Sequence, residues 1–196
     1  MLPFGRHGVD ASRYAQLKKM TEKIEAIIKK YWKSEIDKDK FVRQIQFEIG
    51  YKKEDVRNLI EQIIENQNVK DLEFGLVILF AFEENNEMID LIHKIILEPW
   101  HGQYEELAHN LQRRKRPESI PILKIAIQKK YKFLESYETG TRQFINQCGH
   151  ALRYIGTDEA INTIKELCKS EDPIIRDEML YRISQIEGRN DYKRNH

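Results

Sequence analysis

The chain has 196 residues, and its 33 basic and 32 acidic side chains leave a formal charge of +1. This excludes a polybasic coat for nucleic acid or membrane as a global property. The longest apolar run, LVILFAF at residues 76–82, is far short of the roughly 18 residues that cross a bilayer as a helix.

At the start, MLPFGRHGVDASRY carries no apolar signal-type stretch. Apolar residues at three- and four-residue spacing then predict a helix over residues 11–33, on Tyr14, Leu17, Met20, Ile24, Ile27, Ile28 and Tyr31. Asp10 or Ser12 is its expected N-cap, because a side-chain oxygen there accepts from a first-turn amide. A second helix, over 37–49, carries Phe41, Val42, Ile45 and Ile49 and stops at Gly50; a third, over 53–65, aligns Val56, Leu59, Ile60, Ile63 and Ile64. Residues 69–84 are apolar nearly all round, which predicts a buried central helix.

Asn85-Asn86 breaks the chain before an amphipathic segment over 88–97. Glu98-Pro99-Trp100-His101-Gly102 reads as a structural corner, followed by a short helix over 104–114. Pro117 opens the next helix, expected to run to Leu134, since a first-turn proline loses no hydrogen bond. Three more periodic stretches follow Gly140, over 141–155, 158–168 and 173–186, before a polar tail from Gly188. There is no sustained two-residue alternation and no Asn-Gly or Asp-Gly turn, and the isoleucines fall at helical spacing. The expected fold class is all-α.

Sliding the chain by 31 residues sets Phe144 over Ile175, Leu152 over Ile183 and Ile155 over Ile186, with Gly156 and Gly188 closing the two stretches. The run Ala151-Leu152-Arg153-Tyr154-Ile155-Gly156-Thr157-Asp158-Glu159-Ala160, then Leu167 and Ser170-Glu171-Asp172-Pro173-Ile174-Ile175-Arg176, resembles HEAT-like repeats of the PBS-lyase type. The resemblance covers residues 141–186 and extends back towards Pro117. It implies antiparallel helix pairs stacked as a short α-solenoid, with the second helix of each pair on the concave side. Ile145 stands where a continuing ladder would repeat Arg176. The expected organisation is an N-terminal helical part over 1–98, a repeat part over 99–187, and a polar tail over 188–196.

Several constellations carry chemistry worth weighing. His101, Glu105 and His109 recur at four-residue spacing, which on one helix face would offer ligands to a borderline metal; a solvated helix face is the stronger reading. No histidine precedes a glutamate, so the repeated His-Glu pairs of HEAT-like di-iron hydroxylases are missing. Cys148 lies on the apolar stripe with Phe144, Ile145 and Leu152, and Cys168 follows Leu167; each reads as a small buried hydrophobe. Two cysteines are too few for a disulfide framework and point to a reducing, cytoplasmic setting. Arg113, Arg114, Lys115 and Arg116 form the densest positive run, joined by Lys129, Lys130 and Lys132. They would suit a phosphate backbone if they lined a groove, or a helix C-terminus whose dipole they offset. Trp100 and Tyr104 at the corner are candidate binding anchors, or alternatively a packing plug.

If second helices line the concave side, its outward residues are Asn146, His150 and Arg153, then Asp177 and Tyr181. These mix both charges with an aromatic, which suits a protein surface. The expected function is therefore a non-enzymatic scaffold that binds another protein, with no cofactor, no metal and no membrane. A short chain of this type is similar to immunity proteins that neutralise a toxin domain. The alternative is a nucleic-acid binder or a HEAT-like alkylpurine DNA glycosylase using Arg113–Arg116. A third reading, a metal or bilin-related enzyme, needs His101 and His109 to converge.

Overall fold

The helical spacing of the apolar residues is realised in the computed structural model, which describes residues 11–49, 53–82 and 88–188. Among these residues there are eleven α-helices, one 3-10 turn and no strand. Three expected features lie outside the described residues, namely the stop at Gly50, the break at Asn85-Asn86 and the tail from residue 189. So do Asp10 and the side chains of Ser12, Tyr14, Leu17, Met20 and Ile49. The chain divides into two compact units, Met1–Glu84 and Asn85–His196.

The first unit contains α1 (Ala11–Trp32), α2 (Lys38–Ile49), α3 (Lys53–Asn66) and α4 (Val69–Phe82). Helix α4 packs against the other three, and Leu72, Leu76, Ile78 and Leu79 on it are buried. That is the central position its continuous apolar character predicts. Facing it are Ile24, Ile27 and Ile28 of α1, Phe41 and Ile45 of α2, and Val56, Ile60, Ile63 and Ile64 of α3, all buried. Asp37 caps α2 by accepting from the Lys40 amide at 2.7 Å. Asn68 caps α4 through the amides of Lys70 and Asp71, so polar side chains satisfy the orphan donors of both helix starts.

The second unit contains α5 (Ile89–Ile96), α6 (Tyr104–Arg114), a 3-10 turn (Pro117–Ser119), α7 (Ile120–Gln128), α8 (Lys132–Glu135), α9 (Gly140–Ile155), α10 (Asp158–Leu167) and α11 (Pro173–Ile186). Neighbours in sequence pair as α5 with α6, α7 with α9 across the short α8, and α10 with α11. Helix α9 also packs on α6, α8, α10 and α11, and α7 touches α10. Phe144, Ile145, Cys148, Ala151 and Leu152 of α9 are all buried, beside Leu107 and Leu111 of α6 and Met179 and Ile183 of α11.

Caps mark the ends of α9, α10 and α11. Gly156 closes α9 at φ 69°, a left-handed conformation that glycine reaches without a Cβ penalty. The Thr157 hydroxyl accepts from the Ala160 amide at 3.3 Å to start α10. Asp172 Oδ1 accepts from the amides of Ile174 at 2.9 Å and Ile175 at 3.3 Å to start α11.

The single helix expected over 117–134 is divided. Pro117 opens a 3-10 turn, α7 stops at Gln128, and Lys129 and Tyr131 adopt extended backbone. The break turns Tyr131 inward so that its hydroxyl donates to the Ile96 carbonyl at 2.9 Å. Lys129 Nζ donates to the Leu97 carbonyl beside it. Both bonds satisfy carbonyls at the C-terminal end of α5, so tertiary partners override a locally continuous helical pattern.

Candidate functional site

Helices α9 and α11 meet along a polar row as well as an apolar one. Arg142, Asn146 and His150 recur every fourth residue on α9, while Glu178 and Arg182 do the same on α11. Arg142 Nη1 pairs with Glu178 Oε1 at 2.9 Å, and Glu178 is fully buried. Arg182 is only 1% exposed. One terminal nitrogen donates to Asn146 Oδ1, and the other reaches His150 Nδ1 at 3.4 Å. That contact leaves the proton of a neutral His150 on Nε2. The guanidinium also lies over the Tyr181 ring, 5.2 Å from its centroid.

Arg182 thus brings together three of the five residues expected on the concave face, Asn146, His150 and Tyr181. Arg153 lies nearly one turn beyond His150 and is half-buried, and Asp177 is half-buried beside Glu178. Arg182, Glu178 and Arg142 were missed by the sequence reading. Their signal is the four-residue spacing of polar residues on two helices predicted to be neighbours, with one opposite-charge pair, Arg142 and Glu178, among them.

The row continues towards α6. Gln147 Nε2 donates to Gln112 Oε1 across the α6–α9 contact. Lys115 Nζ stands 5.4 Å over the Tyr154 ring, and Tyr154 lies 6.5 Å from the His150 ring.

Of the two readings of the corner, Tyr104 takes the packing one. Tyr104 is fully buried, its hydroxyl donates to the Glu98 carbonyl at 2.8 Å, and its ring packs on His101, Tyr131 and Phe144. Burial and nearby Glu98 push its hydroxyl pKa upward. Tyr104 is therefore a core residue and not an anchor that reaches a partner. Trp100 is half-buried and packs edge-on against His101.

The basic run is dispersed. Arg113 is exposed, Arg114 donates from Nε to Asn110 Oδ1, and Arg116 pairs with Glu118 at 2.8 Å. Lys115 adopts a left-handed backbone at φ 53°. Lys129 is directed onto the end of α5; Lys130 and Lys132 are exposed.

His101 faces inward, away from exposed Glu105 and His109. Its Nε2 donates to the Ile95 carbonyl at 2.8 Å and its Nδ1 accepts from the Gln103 amide at 3.1 Å. Both ring nitrogens are thereby engaged, and burial lowers the pKa. Among the described residues no group of three His, Cys, Asp or Glu side chains is placed to hold a metal. Cys148 is fully buried and its thiol pKa is pushed up by that burial, while Cys168 is half-buried. No helix among the described residues is long and apolar enough to cross a membrane.

What the arrangement offers chemically is a surface of mixed donors, acceptors, cations and aromatic rings on the polar sides of α6, α9 and α11. No family model, no curated protein and no solved structure matches the chain.

Proposed function

We propose that the second unit is a short HEAT-like α-solenoid, and that the polar sides of α6, α9 and α11 bind another protein without catalysing a reaction on it. The observation that carries this reading is the order of packing: α6 lies on α9 and α9 on α11, each the second member of a helix pair. Such stacking is what a one-dimensional repeat requires. The equivalences at a 31-residue shift agree with it. Phe144 and Ile175 are both buried, as are Leu152 and Ile183, and the glycines that close the two stretches, Gly156 and, one residue out of that register, Gly188, share φ values of 69° and 68°.

The surface composition favours protein over a phosphate backbone. It sets Tyr154 and Tyr181 among amides, cations and Asp177, whereas phosphate recognition draws on a row of unopposed lysines and arginines. A narrower reading, an immunity-type protein that neutralises a toxin domain, rests on size and fold type.

The test is affinity capture of the full chain from nuclease-treated native lysate at two salt concentrations, alongside the variant R153A/Y181A. A stoichiometric protein retained at moderate salt and lost with the variant is the expected result. Nucleic acid that dissociates as salt rises, with no protein retained, would overturn the reading in favour of the groove-binding alternative.

A further inference from the structure

We infer that the edge formed by the C-terminal turns of α6 and α9 receives an acidic segment of a protein partner; the inference rests on the protein-binding reading above and names the chemistry of the occupant.

The argument begins with the distribution of charge. The chain holds 32 acidic residues among 196, yet residues 107–116 and the whole of α9 hold none. Over the same stretches stand Arg113, Arg114, Lys115, Arg116, Arg142 and Arg153. Arg116 has a carboxylate partner in Glu118, and Arg142 has one in Glu178. Arg113, Lys115 and Arg153 have none among the described residues.

A helix dipole accounts for cations in the last turns of α6 and α9. It does not account for the absence of carboxylates from residues 107–114 and from the whole of α9, when the only acidic side chains of the two helices, Glu105 and Glu106, lie in the first turn of α6. Unopposed cations on adjacent helix ends create a positive field that attracts and orients an acidic partner.

The edge also carries an apolar hold. Tyr154 is 48% exposed, and Lys115 lies over its ring. The ring packs beside His150, whose Nδ1 meets the buried Arg182, so the aromatic face is presented from an anchored element. Exposed aromatic rings fixed in this way favour contact with a protein segment. The cations themselves are interrupted: Arg116 is neutralised by Glu118, and the Gln112–Gln147 bond lies between α6 and α9. A polyphosphate would be served by a continuous row, whereas a few carboxylates on a helix or loop match separated cations around one ring.

The inference is tested by placing a photo-cross-linking benzoylphenylalanine at Tyr154 in the full chain and irradiating it in nuclease-treated lysate of the cells that carry the gene. The cross-linked peptide, sequenced by mass spectrometry, is expected to come from a protein segment with a clear excess of Asp and Glu. Its yield should fall at least tenfold in K115E/R153E and by less in K115Q/R153Q, with circular dichroism melting unchanged. Should the reversed variant melt differently, K115Q/R153Q carries the comparison. Three results would overturn the inference while protein is still captured: an adduct to nucleic acid, an adduct to a neutral or basic segment, or a yield indifferent to charge. Failure to recover any protein, by cross-link or by affinity capture, would remove the protein-binding reading as well.

Discussion

The ring of Phe133 occupies the space that a side chain at Gly102 would need: a Cβ built there would lie 2.4 Å from the ring carbon Cζ. The corner that reads in sequence as Trp100-His101-Gly102 is therefore closed by a residue of α8, some thirty positions later. G102A forces the ring outward, and because Phe133 is already 41% exposed, the loss should be modest, about 1 kcal/mol. In an F133A background the same substitution should cost little. Urea unfolding of the four members of this cycle checks the coupling.

Arg182 and Asn146 form the second test. R182M removes the donor that Asn146 Oδ1 receives in the α9–α11 seam, and N146L removes an acceptor from a guanidinium that is 1% exposed. N146L, which leaves a buried guanidinium nitrogen without its acceptor, should destabilise the second unit by about 2–3 kcal/mol, and R182M, which strands only the half-buried Asn146 amide, by about 1–2 kcal/mol. The double variant should lose clearly less than the sum, measured as a shift in urea midpoint at constant slope.

Acid should weaken the fold through two histidines. Burial lowers the pKa of His101 and of His93 below the ordinary 6.5, so the unfolded chain takes up protons before the folded one does. The stability these groups contribute is complete above about pH 6.5 and falls as pH drops through the folded-state values, by at most about 1.4 kcal/mol per pH unit for each proton. His101 contributes because a proton on Nδ1 would confront the Gln103 amide that now donates to it. H101Q should flatten the decline between pH 6.5 and 5 in a series of urea titrations.

The caps of the last two helices should differ in worth. Asp172 accepts two amide bonds at the start of α11, while Thr157 accepts one longer bond at the start of α10. D172A is expected to lower stability by about 1–2 kcal/mol and T157A by about 0.5 kcal/mol. Equal losses in thermal melts would contradict the geometry.

How much of this was legible in the sequence depended on whether the cause was local. The bounds of α6 and α11 coincide with the periodic segments, and at the start of α11 the cause is local, because Asp172 and Pro173 act on their own turn. The break between α7 and α8 was not legible. Its reason is the far carbonyl of Ile96, which Tyr131 reaches only after the chain has folded back. The same distinction holds at the candidate site. Helical spacing put Asn146 and His150 on one outward face, but nothing local marked Arg182 as the buried group joining them to α11. Tyr104 stayed open between anchor and packing plug for a related reason, since an aromatic residue beside a proline corner has the same local pattern whether it faces solvent or Phe144.

The position of α9, packed on α6, α7, α8, α10 and α11 together, has a kinetic consequence. Cys148, buried at the middle of this helix, becomes an internal clock. A thiol reagent can reach it only when the helices that cover it part, so its labelling rate reports opening of the second unit around α9. Half-buried Cys168, just past the end of α10, will react through local fraying and so supplies a fast reference signal from the same molecule.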